Sequence, residues 1–365
     1  MTLSFYIARR FLQTFLIIFA GFFALLYLVD MIEQVRRSGA DNFSVATAAK
    51  LSLLHTPASV YGILPLIMVL AAIALFLRLA RSSELVATRA AGRSALRTLI
   101  APVAAALAIG AIAVAVMNPL VAATSKRYET LSAQLSGGST ANASFGSDGL
   151  WLRQGDAHGQ WVIHADRANP EGTALFGVSF IAFGPTGGPL SRIEAASAEL
   201  TQGAWIATDA KEWLFAETSN PEALAKRHER LTLTTNLTAD QIRDSFGEPA
   251  TVSIWDLPGF IANLDRAGFS SRKHVVWLQR ELALPLLLAA MVLVGAGFTM
   301  RHARLGHSGV LALMALLSGL AIFFVRNFAQ VLGESGQIPV VLAAWSPPLA
   351  AVLLSVSLLL HLEDG

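Results

Sequence analysis

Arg81-Ser-Ser-Glu-Leu-Val-Ala-Thr-Arg-Ala-Ala-Gly-Arg93 is a short polar interruption between two long apolar segments. Ser82 or Ser83 can N-cap a helix, Glu84 then falls in its first turn, and Gly92 suits a C-terminal stop. Residues 82–93 therefore read as a helix of about three turns lying outside the bilayer. Both ends run into apolar spans, so a push on this helix would move both. A surface loop that only follows the cytoplasmic excess of basic residues accounts for the same letters. The surrounding chain has to separate the two readings.

That surrounding chain has the composition of a membrane protein. Of its 365 residues, 54% are hydrophobic and 14% charged, and the mean hydropathy is +0.55. Soluble domains carry about 25% charged residues. A formal charge of +2 is too small to suggest nucleic acid. The absence of cysteine removes disulfides, thiolate zinc sites and a cysteine nucleophile.

Six apolar segments follow along the chain. Phe11 to Val29 comes after Arg9-Arg10 and is long enough for a span of about 20 residues. It lacks the small-x-small cleavage site of a secretory signal, so an uncleaved first span with a cytoplasmic N-terminus is expected. The second span covers about Ala58 to Leu77. The third covers about Thr98 to Ala122 and is interrupted late by Asn118-Pro119. The fourth is about His274 to Met300, with Pro285 in its middle. The fifth is Gly309 to Leu332 and the sixth Ile338 to Leu360.

Between the third and fourth spans no run is long enough to cross a bilayer. Short alternating segments take over, such as Trp161-Val-Ile163, Phe176 to Phe183, Ile193 to Leu200 and Trp205 to Phe215. Turn signals such as Asn169-Pro-Glu-Gly172 and Gly184-Pro-Thr-Gly-Gly-Pro189 separate them. That spacing predicts an all-β sandwich or jelly-roll. Ser253-Ile-Trp-Asp256 resembles a capping box, so an amphipathic helix from Ile254 to Ala267 is expected to lead back to the membrane. The expected fold is an α-helical membrane protein with six transmembrane helices, three and three. An all-β, jelly-roll-like domain is inserted between the halves. The domains are 1–122, 123–272 and 273–365.

Orientation follows from the arginines. Arg9 and Arg10, the five arginines of 78–97, and Arg301 with Arg304 fall on one side; Gly333 to Gln337, without a basic residue, falls on the other. The excess of basic residues puts both termini and the Arg81–Arg93 stretch in the cytoplasm, and the β-domain across the membrane. Arg36 and Arg37 are then basic on the wrong side. They either serve something anionic outside or are balanced by Asp30, Glu33 and Asp41. Arg326 lies within the fifth span, where a charge is costly and usually faces a bundle interior or a wet cavity. At its depth it could also snorkel to the outer interface. A guanidinium suits phosphate, because it donates two parallel hydrogen bonds and stays charged.

Enzyme signatures are missing. There is no G-x-x-x-x-G-K-[ST] phosphate loop, and His228-Glu229 lacks the second histidine of H-E-x-x-H. Gly306-His-Ser-Gly309 is one residue short of a nucleophile elbow.

Local sequences then match one family in order. Ser83-Glu-Leu-Val86 followed by Ala91-Gly92 resembles the coupling helix of the LptF/LptG permeases, which export lipopolysaccharide. Leu28-Val-Asp30 with Gln34-Val-Arg-Arg37-Ser-Gly39 resembles the end of the first span of the LptG branch. Gly149-Leu-Trp151 is similar to the entry to the β-domain. Ser253-Ile-Trp-Asp-Leu-Pro258 and Arg280-Glu-Leu-Ala-Leu-Pro285 are similar to the start of the second half. Gly336-Gln-Ile-Pro339 and Ala344-Trp-Ser-Pro347 are similar to the last turn and sixth span.

The resemblance implies one half of an ABC-transporter membrane unit in the bacterial inner membrane, paired with the paralogous subunit LptF. It implies a cytoplasmic ATPase dimer, LptB, seated on the coupling helix. Glu84 would make the acidic contact, and Arg81, Leu85, Arg89 and Arg93 would lie around it. ATP and Mg²⁺ would sit on the ATPase, with no cofactor on this chain. Lipopolysaccharide would pass through the β-domains to periplasmic LptC and LptA. Arg36, Arg37 and Arg326 would suit the lipid A phosphates. A scaffold presenting its β-domain to other proteins, without transport, is the competing expectation, and Arg326 with six spans, rather than one or two, counts against it.

Overall fold

Helix termini and breaks follow the sequence closely in the computed structural model, which describes residues 2–37, 44–90, 94–135, 142–146, 149–156, 159–169, 172–184, 188–215, 221–235, 237–238, 242, 248–266, 269–300 and 308–363. The first helix, α1, runs Thr2–Arg37. Ser44 then caps α2 (Val45–Gly62), its hydroxyl accepting from the Ala46 N–H at 3.2 Å. A break at Ile63 and a proline in the first turn start α3 (Leu64–Arg81). The expected second span, 58–77, therefore straddles two helices, and the apolar spanning piece is α3. The short α4 (Glu84–Ala90) follows. Ser94 caps α5 (Ala95–Ile112), accepting from the Arg97 N–H at 3.3 Å.

A π-helical turn at Ala113–Met117 joins α5 to α6 (Asn118–Leu135). The wider turn sits just before Pro119, which has no N–H for the carbonyl of Ala115. The Trp255 indole donates to that carbonyl instead, at 3.2 Å.

The second half holds α7 (Leu257–Arg266), α8 (Arg272–Leu282), α9 (Leu284–Thr299), α10 (Ser308–Glu334) and α11 (Val340–Glu363). Among the described residues five helices are long and apolar enough to cross a membrane, within α1, α3, α5–α6, α10 and α11; α8 and α9, bent by 49°, bring the number to six when the pair is taken as one broken span. Pro285 explains the bend, since its ring crowds the carbonyl of Glu281 and has no N–H to offer it. The expected helix start at Ile254 lies three residues early: residues 254–256 form a turn, with the Trp255 N–H donating to the Ser253 hydroxyl, and α7 begins at Leu257.

The chain divides into two compact units. One is Met1–Glu129 with Ser253–Trp255 and Val275–Gly365; the other is Thr130–Val252 with Asp256–His274. The helical unit is built on α3 and α9. Leu64, Ile67, Met68 and Phe76 of the first, and Leu288 and Met291 of the second, are fully buried. Close approach sets this packing: a Cβ on Gly110 would come within 2.5 Å of the Pro285 Cα. By contrast α1, α10 and α11 expose Ile17, Phe324, Phe328, Leu353 and Leu354, as helices facing lipid or a partner do.

The second unit holds α7 and, among the described residues, one antiparallel sheet of seven strands in sequence order, not closed, with β1 and β7 at its edges. The strands are β1 (Asn142–Gly146), β2 (Gly149–Asp156), β3 (Gly159–Ala168), β4 (Ala174–Phe183), β5 (Pro189–Thr201), β6 (Ala204–Leu214) and β7 (Lys226–Thr234). The inserted all-β domain is thus a single meander in which every strand pairs with its sequence neighbours. Its inward face carries Leu150, Leu152, Ile163, Phe180, Ile193 and Trp205.

Alternation slips once, on the same row of four strands. Buried positions run 163, 165, then 168 in β3; 175, then 178 and 180 in β4; 193, 195, then 198 in β5; 205, 207, then 210 in β6. Pairing is absent along the row Asp166, Gly177, Ala196, Asp209 and Glu229. Gly177 (φ +62) and Asp209 (φ +51) adopt left-handed conformations there. The row is a crease at which the inward face shifts by one residue.

Candidate functional site

Glu84 opens α4, with Ser83 before it at φ +58. Of the expected helix over 82–93 the described part is Glu84–Ala90, and residues 91–93 lie outside the described residues. The Ser83 carbonyl accepts the first helical bond from the Ala87 N–H at 3.1 Å. The Ser82 hydroxyl donates to Glu84 Oε1 at 2.9 Å.

The same oxygen receives Arg10 Nη1 from α1 at 3.2 Å, with both side chains about one-third exposed. Leu85 and Thr88 turn inward, with Leu3, Ile7, Leu79 and Thr98, around a cleft of about 250 Å³. Arg81 is exposed. Arg89 is in α4, its side chain outside the described set, and Arg93 lies outside the described residues altogether. The residues named from sequence here are therefore a short helix between α3 and α5, and Arg10 is a partner that sequence reasoning used only for orientation.

A second polar cluster lies inside the helical unit. Glu281 of α8 is 1% exposed. Its Oε2 accepts from the Tyr61 hydroxyl of α2 and from Asn118 Nδ2 of α6 at 3.3 Å. Asn118 Oδ1 accepts the Ile254 N–H at 2.9 Å. Arg326 of α10 is 5% exposed and close enough to Arg280, Glu281 and Tyr61 to interact with each electrostatically. Among the described residues no carboxylate oxygen lies within 4.0 Å of its guanidinium. Arg280 donates to Gln330, whose amide donates to Glu334 at 2.7 Å. Tyr61, Asn118, Arg280 and Glu281 were missed from sequence. Glu281 carried a usable signal, a carboxylate four residues before the proline of an apolar span.

Arg36 is three-quarters exposed and paired with Glu33 at 2.8 Å. Arg37 ends α1, with its side chain outside the described set. One turn back, Gln34 donates to the Tyr128 hydroxyl at 3.0 Å, and Asp30 holds His55 Nδ1 at 2.9 Å. Arg326 is thus not brought together with Arg36 by any contact among the described residues. No group of three or more His, Asp or Glu among the described residues could hold a metal ion.

The profile of the lipopolysaccharide export system permease LptF/LptG matches residues 5–361, from inside α1 to the last turns of α11. The chain belongs to the LptF/LptG family. It is similar to the LptG permease protein of Escherichia coli strain K12, with 22% identity over 360 residues, 98% of this chain and 97% of that protein. It is similar to the LptG protein of Haemophilus influenzae, with 23% identity over 372 residues, covering 100% and 99%. As an LptF/LptG chain it is a multi-pass permease subunit of the lipopolysaccharide export ABC transporter, whose ATPase is a separate chain. In that setting α4 is the piece of this permease that joins two spanning segments while leaving a carboxylate partly open to solvent.

Proposed function

We propose that this permease subunit pairs with the paralogous LptF chain in the inner membrane and transmits ATP-driven closure of an LptB dimer through α4. Both termini and α4 face the cytoplasm in this reading, the sheet domain faces the periplasm, and ATP with Mg²⁺ sits on LptB. Glu84 enters a basic groove of LptB, flanked by Arg81, Leu85, Arg89 and Arg93. Lipopolysaccharide leaves through the sheet domain toward LptC and LptA. Arg36, Arg37 and Arg326 bind lipid A phosphates. The observation that carries the reading is α4 itself: a short helix, described over Glu84–Ala90, on the segment that joins α3 to α5, with a carboxylate about one-third exposed in its first turn. A push on so short a link has to reach both spans. Support for Arg326 comes from its burial near a second cation, Arg280, with no carboxylate oxygen in direct contact among the described residues, an excess of buried positive charge that an anion would stabilise. The open edges of the sheet suit hand-off by strand addition.

The test is Glu84→Lys in the full transporter. Reversing a charge at a docked contact costs several kcal/mol, so co-purification of LptB is expected to fall by at least about tenfold. Surface lipopolysaccharide falls with it, at normal abundance of this chain. Unchanged LptB recovery and export would overturn the role given to Glu84.

A further inference from the structure

Glu84 is already engaged before any partner arrives. Arg10 Nη1 lies 3.2 Å from its Oε1, and the Ser82 hydroxyl donates to the same oxygen at 2.9 Å. Arg10 is 74 residues away on α1, whereas Ser82 is local. The two neighbouring arginines differ: Arg9 is exposed, while Arg10 turns in toward α4 with its guanidinium 4.6 Å from the centre of the Tyr6 ring. Sequence treats them as one basic pair, and the fold gives only the second a specific carboxylate.

Three features make this contact movable. Both side chains are about one-third exposed, so the pair is of the weak, solvent-screened kind. The Arg10 guanidinium also lies over the Tyr6 ring of its own helix, a cation–π contact it can keep when Glu84 moves away. Beneath the pair, Leu3 and Ile7 of α1 face Leu79, Leu85 and Thr88 across the 250 Å³ cleft, so α4 has room to shift against α1. Ser83 at φ +58 makes the α3–α4 joint a strained one, which a small displacement can relieve.

We propose that Arg10 is a positioning residue that competes with the ATPase for Glu84, so that docking exchanges the Arg10 contact for an ATPase contact and passes the movement of α4 into span one. The inference rests on the Glu84 docking proposed above. Ser82 moves with α4 and can follow the carboxylate into a basic groove, whereas Arg10 is fixed to α1 and would face the like charge of that groove, so Arg10 is the partner that leaves. Because Arg10 belongs to α1, its release couples nucleotide state to the span that carries Gln34 and Arg36 at its far end.

The experiment uses the purified, reconstituted transporter with its ATPase, and reads LptB affinity and lipopolysaccharide released per ATP hydrolysed. Arg10→Gln is expected to tighten LptB binding by about two- to fivefold, the worth of a partly exposed ion pair. It lowers lipopolysaccharide release per ATP, because the push no longer reaches α1. Arg10→Lys restores both values, which a merely structural arginine would not require. Arg9→Gln is the matched control and leaves both unchanged. Spin labels at Phe5 and Ala87, both exposed, are expected to change separation between nucleotide-free and ATP-bound states. Arg10→Gln indistinguishable from Arg9→Gln in both affinity and release per ATP would overturn the competition while leaving Glu84 docking in place. Glu84→Gln with undiminished LptB binding would overturn docking and the competition together.

Discussion

Replacing Tyr61 by Phe removes one hydroxyl from the buried Glu281 cluster and changes almost nothing in volume. Tyr61 is 7% exposed and Glu281 1%, so water does not readily replace the lost donor. A hydrogen bond to a charged group is worth about 1.5–3 kcal/mol, against about 0.5–1.5 kcal/mol between neutral groups. Tyr61→Phe is therefore expected to cost about 1.5–3 kcal/mol with Glu281 present. In a Glu281→Gln background the same change should cost only about 0.5–1.5 kcal/mol. Asn118→Ala goes further, because Asn118 both donates to Glu281 at 3.3 Å and accepts the Ile254 N–H at 2.9 Å. It strands a buried amide as well as the carboxylate, and should cost more than Tyr61→Phe. The assay is the apparent unfolding midpoint of the full chain in mild detergent at a fixed scan rate, since such proteins unfold irreversibly. A Tyr61→Phe midpoint equal to the native one, or an equal drop in both backgrounds, would refute the reasoning.

Arg36→Glu combined with Arg37→Glu is expected to weaken photocrosslinking of lipopolysaccharide to the end of α1 by several-fold; unchanged crosslinking means that Arg36 serves only its Glu33 pair. Gly177→Ala should lower the thermal midpoint and the protease resistance of the sheet domain. Its φ of +62 costs an alanine about 1–2 kcal/mol, and the new Cβ would sit 2.2 Å from Asp166 Oδ2.

Membrane class, six apolar segments and an inserted β-region were legible because lipid imposes length and uniform apolarity on a span. Details failed where a local rule met a tertiary demand. The second span was placed at 58–77 because apolar residues continue across Gly62-Ile63, yet Pro65 starts a new helix and the spanning piece ends at Arg81. Ser83 takes a left-handed backbone at a joint between helices, which the letters Ser82-Ser83 do not announce. Strand alternation was visible, but not its slip at the Gly177–Asp209 row, because that slip is shared between strands and no single strand announces it. At the site, Glu84 and Arg326 stood out as charges in unusual places. Tyr61 and Asn118 did not, since a lone Tyr or Asn in an apolar segment becomes informative only when its partner 220 or 163 residues away is known.

The two polar clusters differ in the way transmission requires. Apolar burial drives helix association weakly in lipid, so small residues and polar contacts decide which helices stay together. Around Glu281, buried partners from α2, α6 and α8 meet while Gly110 sits against Pro285, so separating these helices strands a carboxylate and opens a tight contact. Around Glu84, one partly exposed ion pair spans α1 and α4 over an apolar cleft, and parting them returns both charges to water at a cost of about 0.2–1 kcal/mol. A force applied at α4 therefore deforms its own end first and moves the cluster around Glu281 as a block. A lever works in this way only when the pivot is stiffer than the handle. The order predicted for the variants, small costs in stability at Arg10 and large ones at Tyr61 and Asn118, is the measurable form of that difference.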